Sequence, residues 1–147
     1  MTVPEGGPGP EPAGIVSRGV AAILDVLVVT AIGFALHAGA GCVRLLITGP
    51  PFRFPELPSW LAGAAGWTLA VLYFGCSWAA IGRTVGDRLM GLRVTDRAGR
   101  LLGLPRSLVR AALSVTFPVG LYWVPLSRRR ASVQDLLVAS VVRYDFR

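Results

Sequence analysis

Three apolar runs, at residues 19–43, 59–81 and 111–127, are separated by polar stretches along the 147-residue chain. As helices, the first two are long enough to cross a bilayer core of about 30 Å. The third would reach only about 25 Å, the low end of what can span, and Pro118 and Pro125 would kink it. The second run, Ser59 to Ile81, carries no charged residue. Its Ala62/Gly66 and Gly75/Ala79 spacings let a neighbouring helix approach closely, and the reading is that the first two spans pack on each other. Trp60 and Trp78 suit the two membrane–water interfaces.

The polar stretches differ among themselves. Residues 1–14 hold four prolines, four glycines and two glutamates, a composition that cannot build a core and reads as a disordered tail. Residues 44–58, with four prolines, read as a short loop. In the segment 82–110, Val85, Leu89 and Leu92 recur at i, i+4 and i+7, which predicts a short amphipathic helix. Leu92–Asp96 and Arg100–Leu102 flank the turn residues Arg97, Ala98 and Gly99, which predicts a β-hairpin. Pro105 suits the first turn of a further helix, on which Arg106 and Arg110 share one face. The tail carries Arg128, Arg129 and Arg130, an amphipathic turn at 132–139 and a β-like SVVRY.

The fold class expected is therefore an all-α membrane protein. It has two transmembrane helices, a third short, proline-kinked apolar segment that is a third span or re-entrant, and a small cytoplasmic amphipathic and β-hairpin element. Behind the tail, residues 15–147 form one domain by length.

Composition agrees, with 53% apolar residues and a mean hydropathy of +0.59. The net charge is +7 and all fifteen basic residues are arginine. Basic charge flanking apolar spans points to topology and to anionic lipid headgroups as partners, not to nucleic acid. If the third run crosses fully, the arginines divide eight against seven; if it bends back, they divide thirteen against two. The positive-inside rule favours the second arrangement, with both termini cytoplasmic in a multi-pass protein of the plasma membrane, while three spans fit the apolar segments as simply. Cys42 and Cys76 fall near opposite surfaces and match no metal spacing, so packed apolar thiols are expected.

Asp25 is the candidate for chemistry, because a lone carboxylate inside a span costs roughly 2.5–3.5 kcal/mol on insertion scales and marks function. Arg18, seven residues earlier, shares its helical stripe but stands about 10 Å away along the axis and points toward the N-terminus. The carboxylate needs another partner. Arg110, Arg106 and Arg83 are the candidate counter-charges, with Arg110 favoured because it enters the third run from the arginine-rich side. His37, the other titratable group of the first span, reads as a packing residue. Neither a catalytic triad nor a metal cluster nor a phosphate-cradling loop is legible, so no enzyme activity, metal or cofactor is expected.

Arg18-x6-Asp25 at the head of the first span, GRTVGDRLMGLRVTDRAGR after the second, and RRRASVQDLLVASVV near the end resemble the RDD family, small bacterial membrane proteins named for one arginine and two aspartates. The likeness runs from Arg18 to Val142. It implies that Arg18 is the family arginine, Asp25 the first aspartate and Asp135 the second. Gln134 stands where members often have histidine, and Asp87, where a basic residue is usual, competes for the second aspartate. The resemblance implies transport of an unidentified ligand, with cation/proton exchange as its specific form. Two or three spans cannot enclose a pathway of the inverted-repeat kind, so transport would need a homo-oligomer or a larger membrane partner. The alternative is a non-catalytic structural, assembly or regulatory membrane protein in which an Asp25–Arg pair clamps helices together.

Overall fold

Pro58 and Gly82 bracket the second apolar run, and the helix between them occupies it from end to end. In the computed structural model, which describes residues 14–96, 98–117 and 137–144, this helix is α2, Ser59–Ile81. It follows α1, Ile15–Thr48, and precedes α3 (Val85–Leu89), β1 (Leu92–Asp96), α4 (Leu104–Thr116) and β2 (Ser140–Tyr144). The chain is mostly helical, with two helices long and apolar enough to cross a membrane.

α1 is longer than its apolar run suggests. No breaker follows Arg44 until Gly49, which takes φ 74° and is followed by Pro50, so Leu45, Leu46 and Ile47 continue the helix. At 34 residues α1 reaches about 51 Å, beyond the hydrocarbon core unless it tilts. Large apolar side chains stand exposed along both long helices, among them Ile23, Leu27, Phe34 and Leu36 on α1 and Trp60 and Leu72 on α2. So much exposed apolar surface suits lipid as the surroundings. The 49–58 loop folds back along α1. Phe54 stacks on His37 with ring centroids 5.4 Å apart, and Phe52 packs where Gly41 leaves room. His37 is thus a packing residue, as its surroundings in sequence suggest.

Helix packing departs from expectation. Gly75 of α2 faces α4, where a Cβ would stand 2.5 Å from Leu108 Cδ2, whereas Gly66 has nothing nearby. The main neighbour of α2 is α4, and α1 packs chiefly on α3, so close packing of the two spans on each other is not what the small residues serve. Trp78 also departs from expectation. It is 6% exposed, inside the protein and not at an interface.

The hairpin is half right. Gly99 N–H donates to Asp96 O and Asp96 N–H to Arg100 O, so the turn forms. The partner strand, however, is β2, antiparallel to β1 with Val94 opposite Val142 and Asp96 opposite Ser140. Pro105 in the first turn of α4 starts a helix at Leu104, which leaves too few residues after the turn for a returning strand. Val94 and Val142 are almost fully buried with Leu92, Leu102, Ala111 and Val138 in a small core at one end of the long helices.

Several expectations fall outside the described residues: the tail as far as residue 13, the part of the third apolar run from Pro118 on, the arginine triplet, Gln134 and Asp135.

Candidate functional site

Arg18, Ala21 and Asp25 recur at i, i+3 and i+7, one stripe of α1, and all three are buried. That stripe meets the α2–α3 connection. Gly82 ends α2 in the left-handed region, at φ 70°, with its N–H on Trp78 O. A Cβ there would stand 2.9 Å from Val94 O, so glycine also admits β1. Thr84 then caps α3. Its Oγ1 accepts from Asp87 N–H, while Asp87 Oδ2 accepts from Thr84 N–H, a reciprocal capping box.

This cap carries Asp25. Thr84 Oγ1 donates to Asp25 Oδ2 at 2.5 Å, and Gly86 N–H donates to Asp25 Oδ1 at 2.8 Å. Tyr73 of α2 donates its hydroxyl to the same Oδ1 at 2.8 Å and accepts from Val85 N–H at 3.1 Å. Gly86 is required by the approach, since a Cβ would collide with the carbonyl oxygen of Ala21 on α1. Among the described residues, the hydrogen bonds to Asp25 come from two hydroxyls and one amide, and an arginine is not one of the donors. A buried carboxylate with three good donors is stabilised without a counter-charge, because charge-assisted hydrogen bonds are roughly twice as strong as neutral ones.

Asp87 links this cluster to α4. Its Oδ2 also accepts the indole N–H of Trp78 at 2.9 Å, and the guanidinium of Arg110 lies 4.1 Å from the centroid of the Trp78 ring. Arg110 Nε donates to Ser140 Oγ at 3.1 Å, tying α4 to β2. Arg106 donates from Nη2 to Val138 O at 2.7 Å, and Arg83 is half-buried in the α2–α3 connection. The favoured counter-charge therefore stacks on tryptophan and bonds a serine.

Arg18, Asp25, Asp87 and Arg110 nevertheless share one feature. All four line a cavity of about 380 Å³ between α1, α2, α4 and the strand pair. Its remaining wall is largely apolar, with Val26 and Val29 from α1, Phe74 from α2 and Val115 from α4. Among the described residues, no group of three or more histidine, cysteine, aspartate or glutamate side chains is placed to hold a metal ion.

The sequence reading missed Tyr73, Thr84 and Gly86 as partners of Asp25. The pattern Thr84-x-x-Asp87 before a helix was the available signal, since a hydroxyl and an acid at that spacing announce a cap.

No curated protein and no solved structure matches the chain. The RDD family does match, over residues 12–139, which takes in every element from α1 to α4 and both arginines and both aspartates of the cavity. Two apolar helices, a buried Arg18–Asp25 stripe on the first, and a family match across most of its length together say that this membrane protein belongs to the RDD family.

Proposed function

We propose that the chain is a non-enzymatic, multi-pass subunit of the plasma membrane, built to be one component of a homo-oligomer or a larger membrane assembly. Asp25 is its packing anchor, closing α1 onto the α2–α3 connection. The observation that carries this reading is the set of three donors on one buried carboxylate, drawn from Tyr73, Thr84 and Gly86. Such a carboxylate is already satisfied by the protein, as a structural group is. The arginine distribution supports a cytoplasmic N-terminus and C-terminus, with Arg44 and Arg53 on the other side.

A second reading, transport by cation/proton exchange, draws on the cavity, which sets Asp25 beside Arg18, Asp87 and Arg110. Two spans cannot enclose a pathway, so this reading also requires further copies or a partner.

Asp25→Asn and Thr84→Val, expressed in a cell lacking its sodium/proton antiporters, separate the two. The packing reading expects both variants to lower the amount and the thermal stability of the membrane-inserted protein together. Loss of salt resistance by Asp25→Asn alone, at normal protein levels, would decide for transport.

A further inference from the structure

The stripe of α1 that carries Arg18 and Asp25 does not stop at the Asp25 cluster. Steps of seven from Arg18 reach Asp25, Ile32, Gly39 and Leu46, and Leu36 and Val43 fall between the last three at heptad a/d spacing. Arg18 and Asp25 are buried within the chain. Ile32, Leu36, Val43 and Leu46 are exposed, and Gly39 has nothing within 4 Å. The 49–58 loop leaves this stripe bare, because Phe52 packs at Gly41, about 200° round the helix from Gly39. One face of one helix thus changes from covered to uncovered partway along.

Exposure inside hydrocarbon decides nothing, since lipid tails cover a leucine as well as a protein does. Height decides. Gly33 of α1 faces Leu69 of α2, which sets these two residues at one level. From there Ser59 lies ten residues out along α2 and Leu46 thirteen out along α1, so Leu46 stands about 4–5 Å beyond the start of α2. α2 is already about 35 Å long against a hydrocarbon core of about 30 Å. Leu46, 85% exposed, and Ile47, 78% exposed, therefore clear the lipid tails and need a protein surface.

Copies inserted the same way carry Leu46 at the same height, so a second, parallel α1 meets this stripe with its own. A heptad stripe is self-complementary in that arrangement, each position facing its counterpart across a two-fold axis. Gly39 lets the two backbones approach, and the neighbouring Ala35 and Ala40 are small, which suits the crossing of about +20° that heptad packing takes in membranes.

We infer that the outer part of α1 is the seam of a parallel homodimer, in which Ile32, Leu36, Gly39, Val43 and Leu46 of two copies meet in register. The inference rests on the membrane assembly proposed above and names its partner, a second copy, and its surface.

The test is disulfide cross-linking in membranes of the full chain, with Cys42→Ala and Cys76→Ala removing the two exposed native thiols. Leu36→Cys, Val43→Cys and Leu46→Cys should each give dimer on oxidation, since in-register counterparts bring Cα atoms within about 7 Å. Ala38→Cys and Leu45→Cys, on the side of α1 that faces the loop, should give about tenfold less. Gly39→Ile should lower the Val43→Cys dimer about tenfold by holding the backbones apart, at unchanged melting temperature of the monomer. Equal cross-linking at all five positions, or undiminished cross-linking in Gly39→Ile, would overturn the seam. So would dimer at none of them, the outcome if lipid or residues 118–127 of the same chain cover the stripe. Native mass spectrometry from membrane vesicles then tells the failures apart. An oligomer without seam cross-links overturns the seam alone, and a bare monomer overturns the assembly reading with it.

Discussion

The guanidinium of Arg110 lies 4.1 Å from the ring centroid of Trp78, and the indole N–H of that ring is donated to Asp87 at 2.9 Å. One side chain of α2 thus reads a cation on α4 with its face and a carboxylate on α3 with its edge. A buried arginine over tryptophan gains about 2 kcal/mol or more when desolvated. The arrangement joins the Asp25 cluster to the strand pair through Arg110 and Ser140.

Replacing Trp78 by phenylalanine keeps a ring and deletes the N–H. It leaves Asp87 short of a donor, so the variant should lose about 1–3 kcal/mol. A double-mutant cycle with Trp78→Leu and Arg110→Met should return a coupling of about 0.5–2 kcal/mol, read from thermal unfolding in detergent. A coupling near zero would mean the stacking contributes nothing.

Gly86 tests the seam between α1 and α3. A Cβ would collide with Ala21 O and come within 2.9 Å of Asp25 Cγ, backbone and anchor at once. Gly86→Ala should cost at least about 1–3 kcal/mol, the range for overpacking. Gly19→Ala, with nothing within 4 Å, should be neutral or stabilise α1 by up to about 1 kcal/mol. Similar melting temperatures for the two variants would contradict this packing.

The 96–100 turn responds to pH. The amide of Arg100 foremost, then that of Ala98 and the Arg100 guanidinium, hold the Asp96 carboxyl below its ordinary value of 3.8. A carboxyl depressed by folding stabilises the turn above its unfolded value and loses that contribution as pH falls through its folded value. Hydrogen exchange at the Arg100 amide should therefore show protection that holds at neutral pH and declines only below pH 3.8. Asp96→Ala should remove the protection at every pH.

Much of this was legible where a local signal decides the outcome. Pro58 and Gly82 set both ends of α2, Pro105 the start of α4, and Asp96 with Gly99 the turn. What escaped was long-range choice. Sequence proximity offers Arg100–Leu102 to β1, yet Ser140–Tyr144 takes the place. Charge offers arginine to Asp25, yet the donors are a tyrosine, a threonine and a glycine amide, neutral groups that no charge count registers. Small-residue spacing showed that a helix approaches Gly75, but that helix is α4 and not the first span, which the reading of the spacing favours.

That last departure yields a prediction. If Gly75 serves α4, a side chain there strikes Leu108, at 2.5 Å from its Cδ2 and 3.3 Å from its Cα. The leucine tip can rotate away, but the α4 backbone cannot, so Gly75→Val should push α4 off α2. Trp67 Nε1, 3.1 Å from Thr116 Oγ1, would lose its bond as the helices part. The same substitution at Gly66, which has nothing within 4 Å, should leave both contacts intact. Cysteine cross-linking between α2 and α4 in membranes reads the difference: efficiency should fall in Gly75→Val and hold in Gly66→Val. A fall in both would mean that a second copy of the chain covers the open face at Gly66.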